Sequence, residues 1–273
     1  LSTPRGRTFL SLVVASRRAL TPNLVRLELE GDGIGDYPKD SAGGYVKLAF
    51  DADGRPATDP GGMARVTLRT YTIRSLDTDR QRLSIDFVLH GDGTLHDGPA
   101  SAFARTARPG DGIRVSGPGS VKSLDPAADW YLIAADMTAL PAISAKLTER
   151  AALGTPLEGY LVVEVLDEAD AACLEIPDGL VLQVVVNPDP ARDTDALIDA
   201  VRALPWRDGR PFAWCAAEFD RMRAFRNYVR GERGIGLADR YVSSYWMLGR
   251  TEEGHKLEKR EDAASEVAAA DAL

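Results

Sequence analysis

The feature that most constrains this chain is a change of texture near residue 118. Before it, the runs 9–15, 24–30, 45–50, 65–74, 83–89 and 113–116 are short and β-rich, broken by clusters of Gly, Pro and Asp. Short strands at this spacing predict an antiparallel barrel or sandwich. One helical stretch interrupts them, opening at Gly98-Pro99 and running through Phe103 to residue 107. After Pro118, continuous apolar strands alternate with amphipathic segments: strand 130–135, helix 140–152, strands 160–166 and 181–186, helix 195–204, strand 212–216, helix 219–232 and strand 240–244. That order predicts a parallel, helix-covered sheet. The expected fold class is therefore two-domain α+β, an antiparallel β-barrel or sandwich followed by an α/β domain with a parallel sheet, and 273 residues suffice for two cores. The segment 119–129 is the natural junction, giving expected domains at 1–122 and 123–250. The remainder, 251–273, is charged and then Ala-rich, with Leu257 almost its only large apolar residue before Val267. It is expected to be a solvated helix or a disordered end.

A formal net charge of −8 leaves no global field to attract nucleic acid or anionic lipid, so any anionic ligand needs a local basic patch. The two cysteines, Cys173 and Cys215, have apolar surroundings and no CxxC spacing, which supports neither a disulfide framework nor a thiolate cluster. No apolar run approaches the roughly 20 residues of a membrane span, and residues 1–7 lack a signal-peptide hydrophobic region. The expectation is a cytoplasmic monomer that neither inserts into membranes nor binds nucleic acid.

Two constellations carry chemistry. In Arg69-Thr70-Tyr71-Thr72-Ile73-Arg74, strand alternation puts Arg69 and Tyr71 on one side. A flavin needs a flat platform, a donor near its reactive nitrogen and a cation for its pyrophosphate, which Tyr71, Thr72 and Arg69 suit in that order. The same six residues also suit an ordinary strand with one aromatic and exposed arginines. The second constellation is Asp86-Phe87-Val88-Leu89-His90 followed by Gly98-Pro99-Ala100-Ser101. Pro99 fits the first position of a helix, whose free amides at Ala100 and Ser101 make an anion site for a pyrophosphate. His90 either stacks on a cofactor or is a solvated bystander at a strand end.

Taken in order, the Arg-Tyr-Thr strand, the DFVLH strand, the GPAS helix start and the run Gly110 to Pro118 resemble siderophore-interacting proteins, a family of ferredoxin-reductase-like flavoenzymes. Tyr45-Val46-Lys47-Leu48, Thr138-Ala139-Leu140-Pro141-Ala142 and Ser244-Tyr245-Trp246 with Gly249, Thr251, Glu252 and Glu253 extend the likeness to roughly residues 8–254. The resemblance implies an FAD-binding Greek-key barrel, a nucleotide-binding α/β domain of the ferredoxin-NADP reductase type, and reduction of a ferric siderophore to release ferrous iron. By the same resemblance, Arg69, Tyr71, Thr72 and Ile73 hold the flavin. Asp86, Val88, His90, Gly98, Ala100 and Ser101 serve its adenosine-diphosphate half. Thr138 and Trp246 approach the isoalloxazine and nicotinamide, though a core aromatic closing the sheet is an equal reading of Trp246. Lys47 is the expected substrate-binding cation, or a solvated strand residue.

Departures from the family pattern refine these expectations. Relatives read Gly-Pro-Arg-Gly-Ser where this chain has Gly117-Pro118-Gly119-Ser120, leaving Lys122 as the substitute cation. Met247 stands where a basic residue usually follows the Tyr-Trp pair, leaving Arg250 as a more distant one. A less basic pocket fits a less anionic siderophore. Met137 replaces an acidic residue, and Trp214-Cys215-Ala216-Ala217-Glu218 replaces a glycine-containing turn, where alanine methyls hinder close backbone approach. NADH, NADPH and reduced ferredoxin all remain open as electron donor. The competing functions are a general NAD(P)H:flavin or ferredoxin oxidoreductase and a non-catalytic flavin or siderophore carrier.

Overall fold

The structure, a computed structural model, describes residues 8–58, 66–91, 98–154 and 156–271, with side chains to residue 264. Close packing divides the chain into two units, one of residues 1–123, 140–155 and 169–175, the other of 124–139, 156–168 and 176–273.

The first unit is built on seven strands, β1 (Leu10–Thr21), β2 (Leu24–Glu30), β3 (Tyr45–Phe50), β4 (Thr67–Thr72), β5 (Ser75–Asp77), β6 (Arg82–Val88) and β7 (Gly112–Ser116). They pair antiparallel in the order β4-β3-β7-β1-β2-β6-β5, with β2 and β3 consecutive in the chain yet three positions apart, a Greek-key crossing. Alternation fills the interior. Val46 and Leu48 point inward with Leu12, Val14, Leu27, Leu29, Ile85 and Phe87, all within 1% of complete burial, and each such side chain stabilises the fold by about 1.5–3 kcal/mol. Edge strand β4 approaches β6, where the Tyr71 and Phe87 rings meet at 4.4 Å, and just beyond β4 the Arg74 amide donates to the Ser84 carbonyl at 2.8 Å. Helix α1 (Pro99–Thr106) covers the core with Phe103 and Ala104. Helix α2 (Leu140–Ala152) packs within this unit.

Two expectations about strands change. β1 runs six residues beyond 15, because irregularities at Val14/Ser16 and Ala19/Thr21 break the alternation that sequence patterning relies on. The run expected at 65–74 is β4 alone, followed by the separate β5; Arg65 lies outside the described residues.

In the second unit, β8 (Trp130–Asp136), β9 (Gly159–Val165), β10 (Leu180–Val186), β11 (Pro211–Glu218) and β12 (Arg240–Trp246) form a parallel sheet in the order β10-β9-β8-β11-β12. β8 and β9 are buried along their whole length, as parallel strands covered on both faces must be. Helices α3 (Ala196–Arg202) and α4 (Phe219–Asn227) pack through Leu197, Ile198, Val201 and Phe225, and α4 continues as a π-helical turn over Tyr228–Glu232. Gly159 has no alternative: its φ is +135°, and a Cβ there would lie 2.1 Å from the Tyr131 carbonyl oxygen.

The segment expected to be solvated or disordered forms helix α5 (Glu252–Asp271), and one face of it is docked. His255 is buried and shares a 2.8 Å hydrogen bond with Ser244. The Lys259 ammonium donates to Ser243 Oγ and the Ser244 carbonyl, both at 2.7 Å, and Asp262 accepts from Arg226 Nη1 and Nη2 at 2.5 and 2.7 Å. Among the described side chains, polar contacts rather than an apolar stripe hold this helix, which is why its composition reads as solvated.

Candidate cofactor and nucleotide sites

In the first unit, register sorts the predicted residues onto two faces. Tyr71 lies opposite Val46 and Arg69 opposite Leu48, on the face that continues into the core, whereas Thr70 lies opposite Lys47 and Thr72 opposite Tyr45 on the other. Arg69 and Tyr71 therefore share a face, and Lys47 stands on the opposite one, donating from Nζ to Thr70 Oγ1 at 2.6 Å. Arg69 Nη1 donates to the Leu68 carbonyl at 3.0 Å. Ile73 is wholly buried, and its backbone exchanges hydrogen bonds with Gly43 and Gly44, so it anchors the strand end.

Asp86 accepts from Arg26 Nε and Nη2 at 2.6 and 2.8 Å, so both of its oxygens are engaged across β2 and β6. Val88, the last residue of β6, lies opposite Leu24. The exposed His90 offers its carbonyl to Arg105 Nη2 at 3.1 Å. Burial lowers the affinity of the Arg74 guanidinium for its proton, with nearby Arg26 adding to the effect, and Arg74 Nε has no hydrogen-bond partner among the described residues.

The helix start is the most informative feature of this unit. Gly98 takes φ +97° before Pro99, and a Cβ there would meet nothing within 4 Å, so backbone conformation, not crowding, requires glycine. The first helical acceptor, the Gly98 carbonyl, receives Ala102 N–H, which puts the amides of Ala100 and Ser101 ahead of the helical ladder. Ser101 is 2% exposed and its hydroxyl has no hydrogen-bond partner among the described residues. A buried, unpartnered hydroxyl beside first-turn amides is costly unless an acceptor occupies the place.

Elsewhere in this unit, Lys122 is exposed and its carbonyl accepts from the buried Lys146 ammonium on α2. Burial lowers Lys146 to about 8. Cys173 is pushed up to about 11 by burial, which keeps its thiol protonated.

In the second unit, polar side chains gather at the carboxyl ends of the parallel strands, the edge at which such sheets bind ligands. Asp136, at the end of β8, receives four donors: Thr138 N and Oγ1 on one oxygen at 2.9 and 2.5 Å, and Glu218 N and Trp246 Nε1 on the other, both at 2.7 Å. Burial pushes this carboxyl up, while the four donors pull it back. Glu218 caps α4 through Asp220 N and Arg221 N and accepts from Leu248 N at 3.0 Å. Arg221 is clamped by both oxygens of Glu164 at 2.9 and 3.0 Å and donates to the carbonyls of Pro190 and Asp193.

Thr138 and Trp246, far apart in sequence, are thus gathered by one carboxylate that sequence reasoning passed over. Its available signal was an Asp ending a strand two residues before a Thr, the pattern of a side chain capping its own turn. Arg250 is exposed, with Nη2 3.5 Å from Glu258 of α5. Cys215 is buried in the core, where its thiol is raised well above its usual value.

Comparison with known proteins gives these sites a family. Residues 13–122 match the family described as siderophore-interacting FAD-binding domain, and residues 128–249 the one described as siderophore-interacting protein. An uncharacterized protein of Mycobacterium tuberculosis is 34% identical over 96% of this chain and 98% of its own length. The chain belongs to the siderophore-interacting protein family. Another relative, the ferric vibriobactin reductase ViuB of Vibrio cholerae, is 30% identical over 89% of this chain and 91% of its own. Among solved structures, the siderophore-interacting protein SipS from Aeromonas hydrophila superposes with a TM-score of 0.78 at 29% identity, covering 94% of this chain and 99% of that one.

The match over residues 13–122 makes FAD the cofactor of the first unit, and the residues present fit it. The unpartnered Ser101 hydroxyl and the adjacent amides suit a pyrophosphate, and the half-buried Tyr71 ring offers a flat surface. Among the described residues, no helix is long and apolar enough to cross a membrane, and no group of three His, Cys, Asp or Glu side chains could hold a metal ion.

Proposed function

We propose that the protein is an FAD-dependent ferric-siderophore reductase, acting in the cytoplasm on imported chelates with electrons from NADH, NADPH or reduced ferredoxin. The observation that carries the proposal is the buried, unpartnered Ser101 hydroxyl at the start of α1, in a chain similar along most of its length to a protein named as a ferric vibriobactin reductase. Ala100 and Ser101 would hold the cofactor's pyrophosphate, with Gly98 supplying the turn that aims them. Tyr71 would carry the isoalloxazine, with Arg69 on the same face for the phosphates and Thr72 as hydroxyl donor; Ile73, Asp86, Val88 and His90 shape the surroundings. In the second unit, Thr138 and Trp246, fixed by Asp136, would orient the donor. Lys47, Lys122 and Arg250 would meet the anionic chelate.

FAD when bound supplies two-electron acceptance and one-electron delivery. Each ferric centre takes one electron, so two chelates are consumed per two-electron donor. Hard oxygen donors hold Fe(III) better than the softer Fe(II), and the reduced metal dissociates. No acid–base residue is required of the protein; its work is to bind, orient and exclude water.

The test is anaerobic absorbance of the purified protein, with each donor added in turn and then a ferric siderophore. Bleaching of the flavin band by one donor and its recovery on adding about two equivalents of chelate is the expected result. A protein without a flavin band refutes the cofactor assignment. Bleaching without recovery refutes the siderophore-reductase reading in favour of a general oxidoreductase. In parallel, Arg69→Ala should lower the FAD content, and unchanged content removes Arg69 from the cofactor site.

A further inference from the structure

At the other end of the parallel sheet from Asp136, the second unit holds a cavity of about 230 Å³, lined chiefly by Trp206, Pro211, Arg233, Ile235 and Asp239. Pro211 opens β11 and Asp239 precedes the first residue of β12, so the cavity lies at the amino edge. The length of β11, roughly 23 Å, separates it from Glu218 and the carboxyl-edge cluster. Its aromatic and basic wall is set by a distortion of α4. Tyr228–Glu232 is π-helical, and the Arg233 amide bonds back five residues to the Tyr228 carbonyl at 3.2 Å. In an α-helix, residues five apart point about 140° away from each other. The π turn closes that angle: Arg233 Nε donates to Tyr228 Oη at 2.8 Å, and the guanidinium lies 5.2 Å from the Tyr228 ring and 4.4 Å from the Trp206 ring. Such turns are rare and occur frequently at functional sites. The buried Trp130 meets Trp206 edge to face at 4.9 Å, yet Trp206 stays 37% exposed. Neighbouring Arg202, Arg207 and Arg210 each pair with a carboxylate, whereas Arg233 has none among the described residues and bonds only through Nε, leaving both Nη groups for a ligand.

We infer that this cavity binds a small aromatic carboxylate, at a site separate from the carboxyl edge where the nucleotide is proposed to lie. An unpaired guanidinium fork matches a carboxylate bidentately, and the exposed indole gives an aryl ring a surface to pack against. Pro211 and Ile235 complete an apolar lining. The volume is below the roughly 300–1,000 Å³ of sites for drug-sized ligands and admits a single ring. Asp239, whose Oδ1 accepts from Arg210 Nε at 2.8 Å, adds a negative charge to the lining and so selects a monoanion over a dianion.

Benzoate is the probe, titrated calorimetrically into the FAD-loaded protein, with cyclohexanecarboxylate, acetate and inorganic phosphate as comparisons. Benzoate should bind more tightly than any of the three. Trp206→Leu should weaken it about 2- to 10-fold by removing the ring contact, and Arg233→Met about 10-fold or more by removing the charged fork. Both side chains are exposed, so circular dichroism and FAD content should match wild type. Should the Leu variant lose its fold, Arg233→Lys carries the test: it keeps the charge without the fork and should retain part of the affinity lost in Arg233→Met. In protein labelled with 15N at tryptophan, the indole resonance missing from Trp206→Leu should be the one that benzoate moves most. Absence of benzoate binding, equal affinity for benzoate and acetate, or affinity unchanged by the substitutions overturns the site. Displacement of benzoate by NADH also overturns it, because it puts the probe in the nucleotide's place.

Discussion

Replacing Asp136 by Asn tests whether the four-donor carboxylate holds the carboxyl edge of the parallel sheet together. Asn keeps the shape but has one acceptor oxygen and an NH2 that can only donate. With the oxygen turned toward Glu218 N and Trp246 Nε1, the NH2 faces Thr138, whose hydroxyl can rotate to accept but whose amide N–H cannot. One donor is left unpaired at a cost of about 1–3 kcal/mol, and the two retained bonds lose their charge assistance, about 1 kcal/mol each. Relief from keeping a buried carboxyl ionised offsets part of this, since burial already pushes Asp136 up. The net loss is about 2–4 kcal/mol, a fall of roughly 5–15 °C in the apparent midpoint of the melting curve. In protein labelled with 15N at tryptophan, one of the indole N–H resonances should also move upfield and exchange faster as the bond to Trp246 weakens. Asp136→Leu leaves all four donors unpaired and should be less stable than Asp136→Asn, contrary to the usual tolerance for replacing a buried charge by an apolar isostere. A Leu variant as stable as the Asn variant would refute the reasoning.

Two further predictions follow from charges placed by the fold. Burial holds Lys146 at about 8, against an ordinary 10.5, so between those values the unfolded chain binds the extra proton and this residue's contribution to stability rises with pH. The difference in melting midpoint between wild type and Lys146→Met should therefore shift in favour of wild type from pH 8 to pH 10; a constant difference would refute the burial. Arg226 hydrogen-bonds Asp262 and holds its carboxyl below the usual range, with Arg223 adding to the effect. The stability this adds is present above the ordinary carboxylate pKa and is lost as pH falls through it toward the folded value. Asp262→Asn should weaken docking of α5 by about 1.5–3 kcal/mol at pH 7, read as faster hydrogen exchange across residues 252–262, and the difference between the two proteins should shrink as pH falls below the ordinary carboxylate range.

The architecture was legible because both halves punctuate themselves: β2, β3 and α2 have the bounds that alternation, helical periodicity and Gly/Pro breaks assign them. β1 overran its assigned end because its bulges shift side chains between faces, which erases the two-residue period on which reading from sequence depends. The antiparallel barrel and the parallel sheet were legible for a deeper reason. Each strand's pattern of burial is a local property, even though its partners are distant.

Polar clusters have no such local trace. The Arg69–Tyr71 pairing on one face follows from strand alternation, and the Ala100–Ser101 amides follow from Pro99 at a helix start; both were readable. That Ser101 is buried and unpartnered, that Asp86 is engaged with Arg26, and that Lys47 faces away from Tyr71 depend on which strand lies beside which. The same holds for Asp136, whose partners come from residues 138, 218 and 246, and for α5, whose docked face is made of His255, Lys259 and Asp262. A hydrophobic side chain announces its burial by being hydrophobic, while a buried charge is permitted only by partners elsewhere in the chain. Sites made of such charges become visible once topology has brought their partners together, as with Asp136, whose own turn at Thr138 is local but whose partners at residues 218 and 246 are not.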